Sequence, residues 1–148
     1  MTIWLNLFNF LHFVGLAFGL GGATIMAIIS SKAEKYQEVA IAMRKIAPSI
    51  VKLIWTGLIL LIISGIALPF YIEWPLNKNI LLIKHVLVIW IVVIGFFLGL
   101  SSRKMNRLAP KEKEKPSLRF LKVKSQMRAF SIINLILWYV ITILSVFI

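Results

Sequence analysis

Four apolar runs of about twenty residues each constrain this chain more than any other feature. They extend from Ile3 to about Ile29, from Ile50 to Phe70, from Ile80 to Leu100 and from Phe130 to Ile148. At 1.5 Å per residue a helix of about 20 residues crosses a hydrocarbon core of roughly 30 Å. A strand would need half that length, and no alternation of period two appears. Backbone polar groups must be satisfied inside lipid, so the runs are expected to be helices. Composition agrees, with 60% of the 148 residues hydrophobic and only 15% charged. One small aqueous core cannot hide that much apolar surface. The expected fold is therefore all-α, an integral membrane four-helix transmembrane bundle occupying residues 1–148 as one domain. The start of the chain lacks a basic stretch and its apolar run is long for a signal peptide, so it is expected to remain as the first helix.

Charge sets the expected orientation. Seventeen Lys and Arg stand against five acidic residues, a net charge of +12. The bases cluster between apolar runs, as topology requires and nucleic-acid binding does not. Lys32, Lys35, Arg44 and Lys45 lie between the first two runs, with Glu34 and Glu38. Arg103, Lys104, Arg107, Lys111, Lys113, Lys115, Arg119, Lys122, Lys124 and Arg128 lie between the last two. The middle connection holds only Lys78. The positive-inside rule then places loops 31–49 and 101–129 in the cytoplasm of a multi-pass cell-membrane protein, with both termini outside. Trp4, Tyr71 and Trp74 fall at the outer interface. Pro48 reads as a first-turn proline, Pro69 as the end of the second span, and Pro75 as part of the outer turn. Lys111 to Pro116 reads as a solvated linker, and Ser117 to Arg128 as a basic amphipathic helix drawn toward anionic lipid.

Few residues in the spans carry chemistry. Cysteine is absent, which removes disulfides, thiolate metal sites and covalent haem attachment. Asp is absent too, and the Glu residues lie in loops or at span ends, so coupled transport lacks its usual intramembrane carboxylate. The two histidines, His12 and His85, both lie within spans. Counted from Ile3 and Ile80 they are about 13 Å and 7 Å deep, in the same half of the bilayer. An imidazole there needs a hydrogen bond or a metal. Gly15, Gly19, Ala23 and Met26 lie within roughly 60° of the direction of His12, a face open to a close helix or to a flat macrocycle. Lys84 lies about 6 Å inside the third span, along a face shared with Gly95. It can snorkel to the interface or pair with haem propionates or another acidic ligand. Two histidines without Cys or carboxylate fall short of a zinc site. Asn6, Asn9, Thr56, Ser64, Asn134, Tyr139 and Thr142 read as helix–helix hydrogen bonds. The methionines form no Met-x-Met copper pattern, and Trp55, Trp90 and Trp138 read as packing residues.

The layout also resembles known membrane families. A first helix carrying Leu11-His12 and Gly19-Leu20-Gly21-Gly22 is followed by a third opening with Leu82-Ile83-Lys84-His85 and ending in Arg103-Lys104-Met105-Asn106-Arg107. This is similar to the four-helix membrane protoporphyrinogen oxidases and the copper-resistance-D-type membrane domains. The oxidase resemblance implies a b-type haem, with functional roles for His12 and Lys84. The oxidases carry an arginine near the inner end of the first helix, where this chain has Ile25-Met26-Ala27-Ile28. The expected function is haem b binding in a redox role, either electron transfer or tetrapyrrole oxidation. His12 is the ligand, His85 a second ligand, and Lys84 a propionate or substrate partner. A redox protein or porphyrin would be the partner, and small-residue faces would offer a homodimer contact. The rival expectations are copper or small-solute transport and a non-catalytic assembly subunit.

Overall fold

The computed structural model describes residues 2–72, 77–108 and 117–147. It contains four long helices, α1 (Thr2–Ala33), α2 (Gln37–Ala67), α3 (Lys78–Leu108) and α4 (Leu118–Leu144). Short 3-10 turns, Leu68–Phe70 and Ser145–Phe147, follow α2 and α4. Each long helix is apolar enough to cross a membrane, and no strand occurs among the described residues. Exposed side chains such as Ile3, Phe13, Ile63, Leu82, Phe96 and Ile136 are what lipid contact requires.

The helices outrun their apolar stretches. The 32 residues of α1 span about 48 Å, against roughly 30 Å of hydrocarbon. Among the described residues, the segments 31–49 and 101–129, expected as loops, are largely helical. Between α1 and α2 only Glu34, Lys35 and Tyr36 are non-helical, closed by Lys35 and Tyr36 N–H groups donating to Lys32 O at 3.0 Å each. Hydropathy marks where lipid ends, whereas Lys, Arg, Glu and Gln are good helix formers that carry the helix past it. Pro48 accordingly lies inside α2 and not in its first turn. It cannot donate to the Arg44 carbonyl, whose exposed, basic surroundings allow water to replace the bond. Pro69 does close the span, since α2 ends at Ala67 and Pro69 enters the following 3-10 turn. Trp74, Pro75 and the Lys111 to Pro116 stretch lie outside the described residues.

The chain divides into two compact units, Met1–Leu81 and Leu82–Phe147. In the first unit α1 and α2 form an antiparallel hairpin. α1 contributes buried Gly15, Gly19 and Gly22, and α2 contributes buried Gly57, Leu58, Leu61 and Ser64. The approach is close because glycine faces glycine. A Cβ at Gly57 would lie 2.5 Å from Gly19 N and 2.6 Å from Gly15 O. The small-residue face below His12 is thus filled by helix α2. Without a hydrophobic drive between helices in lipid, this backbone-to-backbone packing is what holds the pair.

In the second unit α3 buries Ile91 and Ile94, and α4 buries Asn134, Trp138 and Ile141 on one stripe. Ser117 caps α4, its Oγ accepting from Phe120 N at 3.2 Å. The helix then runs unbroken from the basic segment into the apolar one, as expected for Ser117 to Arg128.

Candidate functional site

The first unit places one histidine in a defined polar setting. His12 is partly buried on α1, and its Nδ1 lies 2.9 Å from Ser64 Oγ on α2. Ser64 is completely buried. Its hydroxyl donates to Leu60 O at 2.7 Å and lies 3.3 Å from Leu61 O. A serine has one proton to give, and a carbonyl oxygen can only accept. The Leu60 bond therefore uses the hydroxyl proton, so Ser64 Oγ accepts from Nδ1–H of His12. In a neutral imidazole that arrangement leaves the lone pair on Nε2.

Packing holds this pair from two sides. Toward the turn, the Gly15–Gly57 crossing fixes the helix separation three residues from His12. A Cβ on Gly65 would lie 4.0 Å from His12 Cε1, an ordinary van der Waals contact that places α2 beside the ring. Toward the other end, Phe8 lies one helical turn from His12 and stacks on Tyr71 at 5.5 Å between centroids, and Trp4 stacks on Phe8 at 6.5 Å. This aromatic group stands at the end of the hairpin opposite its basic turn.

Lys84 and His85 belong to the second unit. Lys84 is half-buried, and it shares a face of α3 with buried Ile91, as the spacing of seven residues requires. His85 lies about 100° further round, on an exposed face. The described hydrogen bond of His12 reaches Ser64 on the neighbouring helix. Among the described residues no three His, Cys, Asp or Glu side chains gather into a metal-ion cluster.

Sequence reading had Ser64 as a helix–helix bonding residue, which it is, but did not pair it with His12. Depth carried the signal: counted from Phe70, Ser64 is about 9 Å in, close to the level of His12. Two of the other expected positions bond within their own helix instead. Thr56 Oγ donates to Lys52 O at 3.0 Å and Thr142 Oγ to Trp138 O at 2.9 Å, both within their own helix. A hydroxyl reaches the carbonyl one turn back more readily than a neighbouring helix. Asn134 Oδ1 and Trp138 Nε1, both buried, have no hydrogen-bond partner among the described residues. An unpartnered buried group costs about 1–3 kcal/mol. Asn134→Leu is therefore expected to hold or raise the thermal unfolding midpoint in detergent, and a clear drop would show that the amide has a partner.

A family comparison covers nearly all of this structure. Residues 6–147 match the family model described as "Predicted integral membrane protein (DUF2269)". The chain belongs to that family. The match supports an integral membrane protein and names neither the protoporphyrinogen oxidases nor the copper-resistance-D-type domains. No curated protein and no solved structure gives a match.

Proposed function

We propose that this integral membrane protein resides in the cell membrane and binds haem b without covalent attachment, in a redox role of electron transfer or tetrapyrrole oxidation. The observation that carries the reading is the bond from His12 Nδ1–H to buried Ser64. Histidines that ligate a metal generally donate their second ring N–H to a fixed acceptor, which sets the tautomer and the ring orientation. His12 has that arrangement, and its basic nitrogen is Nε2. The donor set fits haem better than a bare metal ion, because haem needs only one or two protein ligands and a structural zinc site needs about four.

In this reading His12 holds the haem iron and Ser64 orients the ring. The sequence also offers His85 as a second ligand and Lys84 as a partner for propionates or an acidic substrate. Haem would supply one-electron exchange. The α1–α2 packing and the Phe8–Tyr71 stack exclude water from the imidazole's protein-facing side. Haem content of the purified protein, measured as pyridine haemochrome after expression with ample haem, tests the reading. About one haem per chain is expected, with near-complete loss in His12→Ala. Retention in His85→Ala would reduce the protein ligands to one. No haem at any loading would remove the proposal.

The orientation proposed is both termini outside and basic turns cytoplasmic. The cysteine-free chain makes this simple to test. A cysteine at Asn77 should react with an impermeant maleimide in intact cells. One at Ser117 should react only after permeabilisation, and the reverse pattern would invert the topology.

A further inference from the structure

The second unit carries a charge arrangement that topology alone does not require. Arg103, Lys104 and Arg107 end α3, and Arg119, Lys122, Lys124 and Arg128 begin α4, all of them exposed. Between residues 82 and 147 the sequence has two acidic residues, Glu112 and Glu114, against eleven Lys and Arg. The positive-inside rule accounts for the sign of these charges but would be met equally by a loose tether. Here the bases sit on helices continuous with the spans.

Continuity fixes their depth. Counted from Leu100 and Phe130, Arg128, Arg103, Lys104 and Lys124 stand roughly 3, 4, 6 and 9 Å beyond the apolar stretches. The headgroup region occupies about 5–8 Å on each side of the hydrocarbon core. Arg128, Arg103 and Lys104 are therefore held within the headgroup layer and Lys124 at its edge, with Arg107, Lys122 and Arg119 roughly 10, 12 and 16 Å out. Arg103 and Arg107 are four residues apart on α3. Like charges at that spacing repel, and an anion between them reverses the sign of the interaction. On α4, Val123 is buried with Phe120 and Met127 partly covered, and Lys122, Lys124 and Arg128 lie about 100° or more from Val123 around the helix.

We propose that these helix ends form a binding surface for the phosphate headgroups of anionic phospholipids, which the protein retains in preference to zwitterionic ones. The inference is independent of haem. Each base at this depth adds to the attraction, and the effect decays within a Debye length, so it must be salt-sensitive.

Native mass spectrometry of the full chain, released from nanodiscs of equal phosphatidylglycerol and phosphatidylcholine, reads lipid retention directly. Phosphatidylglycerol should be retained about tenfold over phosphatidylcholine. The preference should fall toward parity in half-molar salt and in the variant Arg103→Gln, Lys104→Gln, Lys124→Gln, Arg128→Gln. The salt arm uses the unaltered protein and so does not depend on the variant folding. Equal retention of the two lipids at low salt would overturn the proposal, as would a preference unaffected by salt. Inorganic phosphate that displaced the retained lipid at micromolar concentration would make the surface a site for free phosphate, which also overturns it.

Discussion

Gly57→Ala is expected to weaken the α1–α2 hairpin severely, while Gly21→Ala leaves it intact. The added methyl at Gly57 meets Gly19 N at 2.5 Å, Gly15 O at 2.6 Å and Phe18 Cβ at 2.9 Å. Two of those atoms are backbone, so no rotamer change relieves the overlap and the helices must separate. Overpacking of this kind costs about 1–3 kcal/mol, occasionally more. The loss is large for a hairpin held by close packing. At Gly21 a Cβ has nothing within 4 Å. Alanine there removes the flexibility of a helical glycine, about 1 kcal/mol in its favour. Thermal unfolding in detergent should therefore show a marked drop for Gly57→Ala and none for Gly21→Ala. Equal behaviour would mean that the crossing is not where α1 and α2 meet. Separation at Gly57 also lengthens the His12–Ser64 contact two turns away on α2, so haem retention should fall with stability.

The second large effect is a split between two substitutions at the histidine site. His12→Ala removes the proposed ligand and should abolish haem retention. Ser64→Ala leaves the imidazole but removes the group that fixes its tautomer. Loss of such a supporting partner costs about 10–100-fold in metal affinity, so Ser64→Ala should bind haem weakly and lose it on dilution. Its effect on folding should be smaller. Hydrogen bonds between membrane helices average about 0.6 kcal/mol, and an unpaired Nδ1–H adds its own burial cost. Ser64→Thr keeps a hydroxyl and should recover much of the affinity. If Ser64→Ala holds haem as tightly as the unaltered protein, the serine serves packing alone.

The fold was more legible in the sequence than the site. The number, type and approximate place of the four helices follow from apolar length, because lipid accepts no other isolated apolar segment. Their ends do not follow. Hydropathy falls at Ile29 and Ile50, yet α1 continues to Ala33 and α2 starts at Gln37. The charged residues between them favour helix as strongly as the apolar ones favour lipid. Pro48 pointed the wrong way for the same reason, since a proline that looks like a start can be held within a helix that began eleven residues earlier. The His12 stripe was visible as a face with two outcomes, and only the position of Gly57 decided between a helix and a flat ligand. Ser64 was hidden among chemically similar residues. Thr56 and Thr142 bond within their own helices, so hydroxyl type alone could not single out the serine that faces a histidine 52 positions away.

The most direct test is a reduced-minus-oxidised absorption spectrum of the detergent-purified protein, recorded beside His12→Ala at equal protein concentration. A b-type difference band in the unaltered protein, absent from a folded His12→Ala, is the predicted result. No band after expression with ample haem, or a band unchanged by the substitution, contradicts it and leaves the His12–Ser64 bond as a device for joining two membrane helices.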